Sequence, residues 1–199
     1  AIICGEKRNY TKGGNLMEEK FLSTLQEIQG DYLTYRRDKV MLDNGREATR
    51  EIVLHPGAVA ILAVTAQEEI ILVRQYRYAL ARELYEIPAG KLKEGEDPLE
   101  SAQRELSEET GYRASSWQLL VSSFSTPGFT NERIDIYLAE DLTEEAAHPD
   151  EDEIITAEKV PLAEVLRMIQ NGEIRDSKSL IGILYYLYLH SNKNKPSQR

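Results

Sequence analysis

The segment GKLKEGEDPLESAQRELSEETGY, residues 90–112, holds seven carboxylates in 23 positions, and its spacing admits little besides a capped helix. Asp97 offers an N-cap oxygen, Pro98 suits the first helical position, and Glu100 stands where a capping box places an acid. The helix predicted from these signals runs to about Thr110 and stops at Gly111. At about 100° per residue, Leu99, Ala102 and Leu106 form an apolar stripe, while Glu105, Glu108 and Glu109 share an adjacent face. One side of this helix must be packed against a core, and the other collects negative charge.

That charged side is locally unfavourable. Like charges at i, i+4 cost a few tenths of a kcal/mol, and acids in the last turn oppose the negative end of the helix dipole. Two readings of the residues stay open. One is a solvated face tied together by Glu100/Arg104 and Arg104/Glu108 pairs. The other is a site for a hard divalent cation, which would reverse the sign of the repulsion.

The rest of the chain supplies a fold to carry the helix. Its 199 residues fit one domain, or one domain with an added subdomain. Residues 1–16 lack periodicity and read as a flexible leader, as do 193–199 as a tail. Between them, YLTYRRDKVML and REATREIVLH flank Asn44-Gly45 and predict an N-terminal β-hairpin subdomain within 17–56. The main domain is expected over 57–192. Its strands are GAVAILAV (57–64), IILVRQYRY (70–78), ELYEIPAG (83–90), 117–124, IDIYLAE (134–140) and IITAEKV (154–160). Two helices follow, one in PLAEVLRMIQNG and one from about 177 to 190. The fold class is α/β (α+β), a mixed sheet between helices.

Composition narrows the function. A formal charge of −10 argues against a nucleic-acid partner, which needs a basic surface. No apolar run reaches the roughly 18 to 20 residues of a bilayer span, so no membrane partner is expected. The one cysteine, Cys4, has no intramolecular partner, which suits the reducing cytoplasm.

The full spacing decides between the two readings of the helix. Gly90, five residues, Glu96, seven residues, and then Arg104-Glu105-Leu106-Ser107-Glu108-Glu109-Thr110-Gly111-Tyr112 resembles the Nudix box at every fixed position. Tyr112 stands where an aliphatic residue is usual. Outside the box, Pro127 falls sixteen residues after Gly111, and REIVLHPGAVA, VRQYRY and EIPAGKL resemble the ADP-ribose pyrophosphatase branch. The resemblance runs from about residue 30 to residue 190.

The resemblance implies a fold, a reaction and residue roles. The fold would be the Nudix fold, and the substrate a small-molecule nucleoside diphosphate sugar, ADP-ribose, cleaved to AMP and ribose 5-phosphate. The Ala89 carbonyl, Glu105 and Glu109 would hold Mg²⁺, with Mn²⁺ as a substitute, and Glu108 would be a further ligand and catalytic candidate. Arg104 and Glu96 would orient those ligands. Arg77 would contact the phosphates, Arg50 and Glu51 the adenine, and Glu132 the terminal ribose, with Gly128 a further substrate-binding residue. A glutamate of the loop EDLTEEAAHPDEDEI would be the general base, Glu153 first and Glu151 in reserve, since a metal-bound carboxylate is a weakened base. A homodimer, with the 32–54 hairpin reaching the partner, is expected as well. GDP-mannose hydrolysis is the main alternative. A non-catalytic ADP-ribose sensor is disfavoured by the intact box and by the lack of a basic helix-turn-helix.

Overall fold

The computed structural model describes residues 18–145 and 154–193. The leader, the loop glutamates Glu151 and Glu153, and all of the 193–199 tail except Lys193 lie outside the described residues.

The chain runs β1 (Lys20–Gln29), β2 (Thr34–Met41), β3 (Glu47–Leu54), β4 (Ala58–Ala63), β5 (Glu69–Arg77), β6 (Arg82–Glu86), β7 (Ala89–Lys91), α1 (Pro98–Thr110), β8 (Tyr112–Phe124), β9 (Arg133–Glu144), β10 (Ile155–Pro161), α2 (Leu162–Gln170) and α3 (Ser177–Lys193). This is an α+β fold. The expected mixed sheet has four strands in the order β7-β4-β9-β8, with β4 and β9 parallel and Ala58 opposite Ile134. The remaining strands of the main domain form a second, antiparallel sheet, β10-β5-β6.

Pro88 explains why one apolar run feeds two sheets. Proline has no N–H to donate, so a ladder cannot pass through it unbroken. Arg82–Glu86 therefore pairs with β5, and after the break Ala89–Lys91 pairs with β4, while the Pro88 carbonyl accepts from the Ile61 N–H at 2.8 Å. Glu86 and Ala89 end up on either side of the same crossing.

Alternation along β4 and β9 sorts the core into two layers. Ala60, Leu62, Ile134, Ile136 and Leu138 pack with Val165, Met168, Ile183 and Tyr186 of α2 and α3. Val59, Ile61, Ala63 and Ala139 pack with Ala102 and Leu106 of α1. Ala102 and Leu106 of the expected stripe are thus buried while Leu99, in the first turn, is only partly so, and the ends of α1 match the sequence signals. Asp97 Oδ1 accepts from Leu99 N at 2.9 Å and from Glu100 N at 3.2 Å, and Gly111 takes the left-handed φ of 71° that closes the helix. Tyr112 begins β8 at once, its ring buried in the α1 layer and its hydroxyl donating to Glu144 Oε1 at 3.1 Å.

The N-terminal region corrects the expected two-stranded hairpin. The Asn44-Gly45 turn does join β2 to β3, but β1 adds a third strand in the order β1-β2-β3. Its apolar residues, Phe21, Leu22, Leu25 and Ile28, are spaced by one, three and three, so the period-2 signal of a strand is absent. Register shifts at Phe21/Ser23 and Thr24/Gln26 account for that spacing, because each bulge moves the alternation by a residue. All ten residues of β1 are exposed, and Phe21 and Ile28 are more than half so. No described helix is long and apolar enough to cross a membrane.

Replacing Asp97 by Ala should lower stability by about 1 kcal/mol through loss of the cap. Urea unfolding measures this, and an unmoved midpoint would contradict the assignment.

Candidate active site

The carboxylate face of α1 lies against the start of β7, and the closeness of that approach explains Gly90. A Cβ built on Gly90 would lie 2.0 Å from the carboxyl carbon of Glu105. No side chain fits there unless the carboxylate leaves. One turn on, Glu109 Oε2 accepts the Ala89 N–H at 3.2 Å, so the next backbone group is tied to the same helix. Glu105 and Glu109 are both buried, at 9% and 6% exposure.

Arg104 binds the remaining charge. Its Nε and Nη2 donate to Glu96 at 2.9 and 3.2 Å, its Nη1 donates to Glu108 at 2.8 Å, and the same Nη1 lies 2.8 Å from Glu105 Oε1. Losing one such charge-assisted bond costs about 1.5–3 kcal/mol, several times the few tenths that like charges cost on a helix, so the arginine wins. Burial disfavours its charge, but hydrogen bonds and Coulombic attraction from Glu96, Glu105 and Glu108 outweigh that and raise its pKa. Glu96 also accepts the Lys93 N–H at 2.9 Å, which pins the loop ahead of α1. The Glu100/Arg104 pair weighed above gives way to Glu96 in this geometry.

A metal ion fits this donor set. The Ala89 carbonyl, Glu105, Glu108 and Glu109 are hard oxygen groups around one backbone crossing, and Gly90 clears the space for the Glu105 carboxylate. Among the described residues no three such side chains are already gathered at coordinating distance. Arg104 Nη1 lies 2.8 Å from both Glu105 Oε1 and Glu108 Oε2.

Beside this face lies a cleft of about 500 Å³ whose lining includes Arg77, Glu86, Ala89, Gly90, Glu132 and Lys178. Arg77 grips Glu86 bidentately, Nε to Oε1 at 2.7 Å and Nη2 to Oε2 at 2.6 Å. That hydrogen bonding raises the arginine's pKa against burial. Burial pushes the Glu86 carboxyl upward, yet Arg77 and Lys178 together bring it below the usual range.

Also lining the cleft, Glu132 Oε1 stands 3.5 Å from His55 Nε2. His55 Nδ1 accepts the Gly57 N–H at 3.0 Å, and burial lowers the pKa of the ring. Sequence reasoning does not single out His55, since nothing in its spacing separates it from an ordinary packed histidine. It also misses Glu86 and Lys178, whose partners are distant in the chain.

The other expected residues lie elsewhere. Arg50 and Glu51 are on β3, outside the cleft lining of their own chain, with Arg50 Nε bound to Glu19 at 2.8 Å and Glu51 3.9 Å from Arg37. Gly128 is exposed in the turn before β9 and does not line the cleft.

Arg104's hydrogen bonds, first among the causes, hold Glu96 at a pKa of about 2. The unfolded value is about 4.3. The interaction therefore stabilises fully above that value, fades as pH falls and the unfolded chain takes up the proton first, and is lost below about 2. NMR titration should find Glu96 at about 2 in the wild type and near the ordinary range in Arg104→Gln. An ordinary value in the wild type would contradict the geometry.

Comparison with known proteins gives the same grouping. The NUDIX domain family model matches residues 54–180. The chain is 44% identical over 184 residues to the methanol dehydrogenase activator of Bacillus methanolicus, covering 92% of this chain and all of that one. It is 42% identical over 171 residues to the ADP-ribose pyrophosphatase of Bacillus subtilis (strain 168), covering 85% and 92%. The GDP-mannose pyrophosphatase of Escherichia coli (strain K12) stands further off, 32% identical over 86% of this chain and 93% of its own. A crystal structure described as an ADP compounds hydrolase superposes with a TM-score of 0.79 at 20% identity, over 92% of this chain and 100% of that one, a likeness of fold. With its glycine, glutamates and arginine joined at one crossing, and a family model over more than half its length, the chain belongs to the NUDIX domain family of hydrolases.

Proposed function

We propose that the protein hydrolyses the pyrophosphate of ADP-ribose to AMP and ribose 5-phosphate, using Mg²⁺ or, as a substitute, Mn²⁺. The observation that carries this reading is the junction of Ala89, Glu105 and Glu109 with a cleft whose lining includes both Arg77 and Glu132. The 42% identity to an ADP-ribose pyrophosphatase, against 32% to a GDP-mannose pyrophosphatase, favours ADP-ribose over the alternative.

The reaction adds one water across a P–O–P bridge. One phosphorus–oxygen bond breaks, the water oxygen bonds to the phosphorus attacked, and the bridging oxygen leaves with the other phosphate. Arg77 orients the pyrophosphate, and Glu132 accepts a hydroxyl of the terminal sugar. Ala89, Glu105, Glu108 and Glu109 would hold the metal, with Arg104 and Glu96 keeping those carboxylates in place. A divalent metal bound there would supply charge neutralisation and make a water more acidic. The proton of the attacking water goes to Glu153, or failing it Glu151, because carboxylates engaged by a cation are poor bases.

We further propose a cytoplasmic homodimer. The exposed apolar side chains of β1 and its outer edge need a cover, and Arg50 and Glu51 on the same sheet would meet adenine in the partner's cleft.

The chemistry is tested with a panel of nucleoside diphosphate sugars, Mg²⁺ and product analysis. ADP-ribose should give the highest kcat/KM, Glu109→Gln should lose turnover by orders of magnitude, and either Glu153→Gln or Glu151→Gln should lose about 10²-fold in kcat. A tenfold preference for GDP-mannose, about 1.4 kcal/mol at the transition state, would overturn the substrate. Full turnover by Glu109→Gln would overturn the metal site, and near wild-type kcat in both loop variants would put the base elsewhere. Light scattering should give about twice 22.7 kDa at micromolar protein, and a monomer mass would remove the dimer.

A further inference from the structure

Lys178 breaks two local rules. It is a cation in the first turn of α3, where the helix dipole favours anions, and it is a lysine only 8% exposed. Such departures are expected where a residue serves a site.

Its contacts show which site. The Lys178 ammonium donates to Glu86 Oε2 and lies 3.0 Å from Asp176 Oδ2. Asp176 is itself engaged at the N-terminus of α3, where its Oδ2 accepts from Ser179 N at 3.0 Å and from Ser179 Oγ at 2.7 Å. Ser179 Oγ in turn accepts the Ile87 N–H at 2.8 Å, so the start of α3 is fastened beside Pro88, where β6 passes into β7. Glu86, 2% exposed, is therefore a buried carboxylate shared by two cations, Lys178 from α3 and Arg77 from β5. Arg77 is the one of the two that reaches outward, its side chain 38% exposed in the cleft.

Charge arithmetic gives the consequence. With Arg77 alone, Glu86 would make a neutral bidentate pair, and a polyphosphate arriving in the cleft would meet an arginine already satisfied. A second cation on the same carboxylate shares its charge, so Arg77 is less fully neutralised by Glu86, while Asp176, 3.0 Å from the Lys178 ammonium, brings the four groups to zero net charge. Asp176 is in turn held by the Ser179 N–H and hydroxyl and by the positive end of α3.

We propose that Lys178 is a positioning residue of the substrate cleft: by sharing the Glu86 carboxylate it leaves the Arg77 guanidinium less fully neutralised toward the phosphates of a nucleoside diphosphate. The proposal rests on the reading of the cleft as a pyrophosphate site and adds to it a residue that acts through Arg77.

The test is calorimetric titration of ADP-ribose in metal-free buffer, where no turnover occurs, followed by kinetics with Mg²⁺. Lys178→Met should weaken binding about tenfold, the scale of one charge-assisted hydrogen bond, and raise KM with kcat little changed. The double variant Glu86→Gln/Lys178→Met removes both buried charges, which proteins tolerate better than loss of one partner, and frees Arg77 from its counter-ion. It should bind more tightly than Lys178→Met and approach the wild type. Should Lys178→Met fail to fold, the double variant alone decides, near wild-type affinity supporting the proposal and tenfold weaker affinity overturning it. Unchanged affinity in Lys178→Met, or a double variant no better than the single one, would also overturn it. A wild type that binds no ADP-ribose would instead refute the substrate reading, and the same titrations with inorganic pyrophosphate would then judge Lys178.

Discussion

Mutual repulsion among Glu105, Glu108 and Glu109 is the constraint around which this molecule is arranged. Three acids near the C-terminal end of one helix oppose each other and the dipole, and a chain that keeps them must surround them with compensating groups. Arg104 supplies most of that compensation within the helix, and Glu96 fixes the arginine from the preceding loop. Gly90 contributes by absence of a side chain, since the Glu105 carboxylate occupies the volume where a Cβ would be. The helix is held by its buried stripe, so the cost of the charged face is met by packing against the four-stranded sheet.

The cleft follows from a break in that sheet. Because Pro88 cannot continue a ladder, the chain changes sheets between Glu86 and Ala89, and groups from both sheets open onto one space. The backbone carbonyl next to the carboxylate helix and the buried partner of Arg77 are thus three residues apart in the chain. Fastening this crossing to α3 through Ser179 makes the C-terminal helix part of the site without lending it a reacting group.

What could be read from sequence divides by the range of the interactions. The caps of α1, its apolar stripe and the spacing from Gly90 to Tyr112 are local, and all of them appear in the fold. The hairpin turn at Asn44-Gly45 was legible for the same reason. β1 was not, because two bulges erase the alternation that marks a strand. The trio Arg77, Glu86 and Lys178 was half hidden. Arg77 stood out by resemblance, but Glu86 looks like any acid in a strand, and Lys178 shows only a cation at the wrong end of a helix. Ion pairs between residues 86 and 178 leave no periodicity to detect.

The parallel pairing of β4 with β9 also dictates an order of assembly. Ala58–Ala63 has one neighbour in β7, soon after it in the chain, but its other edge stays open until Ile134–Ala139 has been made. Closing so long a loop carries an entropic cost that shorter hairpins avoid, and contacts of this kind set a slow step in folding. The layer that receives Ala102 and Leu106 is lined mainly by Val59, Ile61, Ala63 and Ile71, and Ala139 of β9 completes it when that edge closes. During synthesis the carboxylate helix emerges before the last strand of the layer it packs on, and that layer is completed only when the ninth strand arrives.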